Sequence, residues 1–92
     1  MNISGIDLNL MVVFEAILAE KNISKAAKKI GLSQPATSSS LNRLRSIYND
    51  PLFTRTPKGM IPTYKALQIE PDIAHALEFL RKTLEPEKKF NP

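Results

Sequence analysis

Ser24-Lys25-Ala26-Ala27-Lys28-Lys29-Ile30-Gly31-Leu32-Ser33-Gln34-Pro35-Ala36-Thr37-Ser38-Ser39-Ser40-Leu41-Asn42-Arg43-Leu44 is the stretch whose reading decides the fold. Ala26, Ala27 and Ile30 mark the buried side of a short helix for which Ser24 is the N-cap candidate, and Gly31 stops it. Gly31 to Pro35 then reads as a compact turn. Ser33 is placed to cap the next helix, and Pro35 falls in its first turn, where no amide donor is missed. Thr37, Leu41, Leu44 and Tyr48 form the inner stripe of that helix, with Ile47 beside them. Gln34, Ser38, Ser39, Asn42, Arg43, Arg45 and Ser46 are left pointing outward or to the flanks. Asn49-Asp50-Pro51 breaks the helix, because proline disfavours helical geometry in the residue before it.

Two short helices joined by a tight glycine-containing turn, the second exposing small polar and basic side chains, match the plan of a helix-turn-helix. A helix enters a major groove only if its outer face is slim, and Ser38, Ser39 and Ser40 keep this one slim. Gln34 suits bidentate contact with an adenine edge; Arg43 and Arg45 suit phosphates or guanine. A serine run alone would equally describe a weak helix surface, so the reading rests on what flanks it.

Upstream, Leu10, Val13, Phe14, Ile17 and Leu18 recur at helical spacing behind Asp7, which predicts a first helix from about Asp7 to Glu20. Asn22, tolerant of the left-handed conformation, is expected to end it. Downstream, Leu52–Arg55 and Met60–Thr63 read as extended runs around the turn Thr56-Pro57-Lys58-Gly59, hence a small hairpin closing the core with Leu52, Phe53 and Ile61. Pro62 confines the second strand to an edge. Arg55 and Lys58, at or near the tip on the opposite face from the core residues, occupy a wing position from which cations enter a minor groove or touch backbone. From Tyr64 the pattern is helical again. Ile73, Leu77, Leu80 and Leu84, spaced four, three and four, form a narrow seam suited to pairing two copies, while Pro71 is expected to interrupt or kink the helix.

The fold class that follows is mainly α: a winged helix-turn-helix of three helices and a two-stranded wing over residues 1–63, then a linker helix over 64–85 forming an antiparallel dimer. A disordered tail is expected over 86–92.

Composition narrows the function. With no cysteine among 92 residues, disulfides, zinc ribbons and thiol catalysis are excluded. No apolar run approaches membrane-spanning length and no basic leader opens the chain, so a soluble, cytoplasmic protein is expected. From Lys21 to Ile69 there are nine basic residues against Asp50 alone, a net +8, while the remainder carries −4. That segregation is the electrostatic footprint of a polyanion binder, though a lysine-rich solvated face would share it.

The string from Asn22 through Ser38, with Leu44-Arg45, Pro51-Leu52-Phe53-Thr54-Arg55 and Pro62-Thr63, resembles the N-terminal region of LysR-type transcriptional regulators. The similarity runs to about Leu84, and the Asp50–Phe53 and Gly59–Thr63 variants are similar to the branch containing the NodD and LeuO regulators. The resemblance implies a dimer presenting two recognition helices to an interrupted palindrome of double-stranded DNA. It implies that Gln34, Pro35 and Ser38 approach base edges, that Ser24 and Ser33 cap helices near phosphates, and that Arg55 reaches the minor groove. With Lys25, Thr37, Ser39, Asn42, Arg43 and Lys58 these make up the expected DNA-binding set; Ile73, Leu77, Leu80 and Leu84 make up the expected dimer interface. Many members carry a basic residue or glutamine where this chain has Ser39, and an acidic one at Arg45. The resemblance also implies a C-terminal effector-binding domain outside these residues, the only place a small-molecule effector would act, so that the chain reads either as the DNA-binding fragment of such a regulator, the favoured reading, or as a naturally short relative.

Other classes fare worse. The single histidine, His75, has no cysteine, nucleophile or metal-ligand set near it in sequence, and Glu70, Asp72 and Glu78 read as solvated helix face, so neither an enzyme nor a cofactor is expected. A protein-interaction module would explain the leucine seam but gives no reason to gather +8 around the reading helices. A non-specific nucleic-acid binder would share the charge but not the slim helix opening Gln34-Pro35.

Overall fold

The computed structural model describes residues 2–86, and the remainder of the expected tail lies outside the described residues. After a 3-10 turn at Ile3–Gly5 come α1 (Asn9–Glu20), α2 (Ile23–Ile30), α3 (Gln34–Tyr48), an antiparallel hairpin of β1 (Phe53–Thr56) and β2 (Gly59–Pro62), and α4 (Tyr64–Leu84). The expected winged helix-turn-helix architecture is therefore the observed one. Among the described residues no helix is long and apolar enough to cross a membrane.

The turns follow from local chemistry, with one exchange of roles. Asn22 does not end α1. Lys21 does, in the left-handed conformation (φ 54°), its amide bonded back to the Ile17 carbonyl. Asn22 is freed to cap α2, its Oδ1 accepting from the Lys25 amide at 2.8 Å, so Ser24 lies inside the first turn and caps nothing. An Asn side chain accepts this bond as well as Ser does, and the α1–α2 turn is one residue tighter than periodicity implied. Gly31 ends α2 at φ 73°, and Ser33 caps α3 by accepting from Ala36 at 3.2 Å, with Pro35 in the first turn.

A single apolar cluster joins all the elements. Leu10, Val13, Phe14 and Ile17 of α1, Ile23 and Ala26 of α2, and Leu41 and Leu44 of α3 pack with Leu52, Phe53 and Met60 of the hairpin. The Phe14 and Phe53 rings meet at 5.5 Å in a tilted arrangement. In the hairpin Phe53 pairs with Pro62 and Arg55 with Met60. This register overturns two expectations: Met60, not Ile61, is the buried member of β2, and Arg55 shares the face of Phe53 instead of opposing it, because side chains alternate along a strand. Arg55 is nevertheless exposed, opposite the buried Met60.

Pro71 does not interrupt α4, which continues through it for 21 residues; the ring lies on an exposed position, leaving the carbonyl it cannot serve near solvent. Ala66, Ile73 and Leu77 of α4 belong to the same core, so no gap in packing separates residues 1–63 from the linker helix. Ile73 and Leu77 are nearly buried within the chain (8% and 7% exposed), whereas Leu80 and Leu84 stand 50% and 83% exposed. The four positions of the seam therefore differ in exposure, and Ile73, Leu77 and Leu80 line one apolar groove. Arg81 binds Glu15 across the α1–α4 contact, and the carboxylate, by hydrogen bond first and charge second, raises the guanidinium pKa.

Candidate nucleic-acid interface

The first turns of α2 and α3 and the hairpin enclose a polar groove of about 570 Å³, lined among others by Lys21, Ser24, Lys25, Gln34, Arg55 and Lys58. A smaller hollow of about 200 Å³ continues it along α3 past Ser38 and Asn42, with Arg55, Ile23 and Met60 bordering both. Gln34, Ser38 and Asn42 follow each other at intervals of four, one helical face, so the groove runs along the exposed side of α3 and ends at the wing.

Of the residues expected to bind DNA, Ser24, Lys25, Gln34, Ser38, Asn42, Arg55 and Lys58 border this groove. Ser33, Pro35, Ser39 and Arg43 are exposed outside its lining. Thr37 is a correction. It is wholly buried, its hydroxyl donating to the Ser33 carbonyl at 2.9 Å, and it reaches no surface from which to touch a ligand. Arg45, expected to meet phosphate or guanine, is already engaged within the fold. Its Nε donates to the Pro51 carbonyl at 2.7 Å, one Nη to the Phe53 carbonyl at 3.0 Å, and the other to Asn42 Oδ1 at 3.1 Å. The guanidinium fork clamps the start of β1 to α3, and orients the Asn42 amide along the way.

Two further contacts fix the wing. The Met60 amide donates to the Lys21 carbonyl at 2.8 Å, and Gly59, at φ 113°, lies so close that a Cβ there would stand 2.5 Å from that oxygen. Only glycine permits this approach. At the base, one Asp50 carboxylate oxygen accepts from the Leu52 amide at 2.8 Å and from the Thr63 hydroxyl at 2.7 Å. It thereby holds Leu52 at φ 62° and ties the end of α3 to Thr63, the N-cap of α4. Sequence reasoning missed Lys21, Asp50 and Gly59 because each works through a tertiary neighbour that no periodicity reveals.

The cationic character is local. Among the described residues Lys25, Arg55 and Lys58 have no carboxylate within ion-pair distance; the pairs present are Lys29–Glu20 at 3.4 Å and Arg81–Glu15. No group of three or more potential metal ligands occurs among the described residues.

Comparison with known proteins agrees with this geometry. Residues 8–67 match the family described as bacterial regulatory helix-turn-helix protein, lysR family. The HTH-type transcriptional activator NagR of a Ralstonia species is 46% identical over all 92 residues, which make up 31% of its own length, so the chain spans about a third of that relative. The crystal structure of the probable transcriptional regulator PA0477 from Pseudomonas aeruginosa superposes with TM-score 0.87 at 37% identity, over 98% of this chain and 30% of that one. A CbnR DBD–DNA complex shares the fold alone, with TM-score 0.77 at 22% identity over 85% of this chain and 90% of that one. The wing, the capped helix pair and the matched residues lead to one conclusion: the chain belongs to the lysR family of bacterial regulatory helix-turn-helix proteins and is a LysR-type DNA-binding domain.

Proposed function

We propose that α3 lies in the major groove of a duplex while the hairpin reaches the adjoining minor groove, and that two copies do so together on a palindromic site. The observation that carries this is the shared groove: Gln34, Ser38 and Asn42 along α3 and Arg55 and Lys58 on the wing border one continuous polar surface. Gln34, Ser38 and Asn42 supply uncharged donors and acceptors for base edges. Arg55 and Lys58 supply the charge that holds backbone or enters the narrow groove. Selection of bound fragments from random duplex DNA is the test. Enrichment of two related half-sites is expected, and a recovered pool indistinguishable from the input would sink the reading.

The pairing of copies draws on a second surface. Leu80, Leu84 and Phe79 stand exposed on the last turns of α4, and a groove of about 640 Å³ between residues 72–80 of α4, the N-terminal segment with the start of α1, and the end of α3 is lined largely by apolar side chains, Leu8, Met11, Ile47, Ile73, Leu77 and Leu80 among them. A second α4 running antiparallel would cover this surface with its own Leu80 and Leu84, as an isologous contact requires. Sedimentation of the chain measures it directly, with a dimer expected.

A further inference from the structure

We infer that Lys21, which periodicity assigns to nothing, is a phosphate-binding residue of the groove, held in a left-handed backbone conformation that a lysine disfavours, at a position that lines the groove together with Lys25 and the wing. The inference deepens the proposed DNA reading and rests on it. Three observations carry it. Lys21 adopts φ 54° and ψ 26°, where glycine or asparagine is the ordinary occupant, and the asparagine of this turn sits one place later, at 22, engaged as the cap of α2. Its carbonyl receives the Met60 amide and is pressed against Gly59, so the residue is fixed to the wing and cannot swing away. Finally, Lys21 is exposed and lines the same groove as Lys25, Arg55 and Lys58, and among the described residues it forms no ion pair; the neighbouring carboxylate, Glu20, is taken by Lys29. An exposed cation without an internal carboxylate, lining the groove with three further cations, adds to a positive field that a polyanion neutralises. In this groove, between the α3 face and the wing, the anion that meets it is a backbone phosphate of the duplex.

The proposal separates stability from binding. Lys21→Gly relieves the backbone and keeps the carbonyl that receives Met60, so its thermal midpoint is expected to rise by a few degrees. Its affinity for a fluorescein-labelled mixed-sequence duplex is expected to fall, with a plot of log Kd against log salt less steep by about 0.9 per protomer, the loss of one phosphate contact. Lys21→Asn should lose the same slope, and Lys21→Arg should retain it. A parental slope in Lys21→Gly, or a reduced slope in Lys21→Arg, overturns the proposal; so does a lowered midpoint in Lys21→Gly, which would remove the strain on which it stands. Arg55→Ala, measured alongside, tells two failures apart. If it flattens the slope while the Lys21 variants do not, Lys21 alone is wrong; if neither variant does, the groove is not the DNA face and both readings fall.

Discussion

The two large grooves of this protein are close in size, about 570 and 640 Å³, and opposite in chemistry. One gathers Lys21, Lys25, Arg55 and Lys58 with small polar side chains; the other is walled by isoleucine, leucine, methionine and aromatic rings. They lie on different combinations of the same helices, α2 and the start of α3 with the wing for the first, the start of α1 and the end of α3 with α4 for the second. Helix α3 therefore serves both, polar at its beginning and apolar at its end. A duplex neutralises a cationic surface without requiring that it be buried dry, whereas an exposed apolar groove lowers its free energy only by excluding water. Each surface thus selects a different kind of occupant.

The sharpest way to break the comparison lies on α4. Leu77→Asp places a carboxylate in the core and should cost about 3–5 kcal/mol of stability, enough to unfold the domain in thermal denaturation. Leu84→Asp, on the exposed part of the same seam, should lower the melting point only by the stabilisation that pairing supplies, far less than Leu77→Asp, while sedimentation shows a monomer and affinity for a paired site collapses. Equal melting of the two variants would show that the seam is not divided between core and partner. Next in size, Arg55→Ala should weaken duplex binding by about 1–3 kcal/mol if the contact is desolvated, without altering the oligomer; a titration curve overlying that of the parent would remove the wing from the DNA face. Gly59→Ala collides with the Lys21 carbonyl and should destabilise the hairpin by about 1–3 kcal/mol, given the strained φ, a loss seen first as faster amide exchange at Met60.

The smallest effect concerns Tyr48, at the apolar end of α3. Burial raises its phenol above the ordinary 10.0, so the folded protein keeps it neutral at a pH where an unfolded chain would ionise it. The stability this contributes is fully present below pH 10.0 and is lost as pH climbs through the folded value. Tyr48→Phe should therefore flatten the alkaline decline in stability, and an unaltered decline would assign it elsewhere.

The helix pair, the position of the wing and most of the polar groove were legible because they rest on near neighbours: Gly31 needs its positive φ, Ser33 caps the amide three residues on, and leucines repeat every turn. What escaped were decisions made across space. Thr37 stood both on the inner stripe and in the DNA-binding set, and the inner reading holds, with the Ser33 carbonyl satisfying its hydroxyl inside the core. Arg45 looked like a phosphate ligand until the carbonyls of Pro51 and Phe53, six and eight residues away, claimed its guanidinium. Ile73 and Leu77 carry the same spacing as Leu80 and Leu84, and only packing against the core distinguishes the covered pair. The exchange between Lys21 and Asn22 was hidden for another reason: propensity ranks asparagine above lysine for a left-handed helix end, but the same side chain is also the better cap, and it cannot be both.

The Asp50 clasp has a mechanical consequence. One carboxylate oxygen holds both the amide that opens the hairpin and the hydroxyl that starts α4, at 2.8 and 2.7 Å, so the base of the long helix is bolted to the reading head and not hung from a slack tether. Torque applied at the far end of this shaft is delivered to α3 and the wing through that joint. Ile73 and Leu77, beyond Pro71, pack into the same core, so the shaft moves with the head as one body at least as far as Leu77.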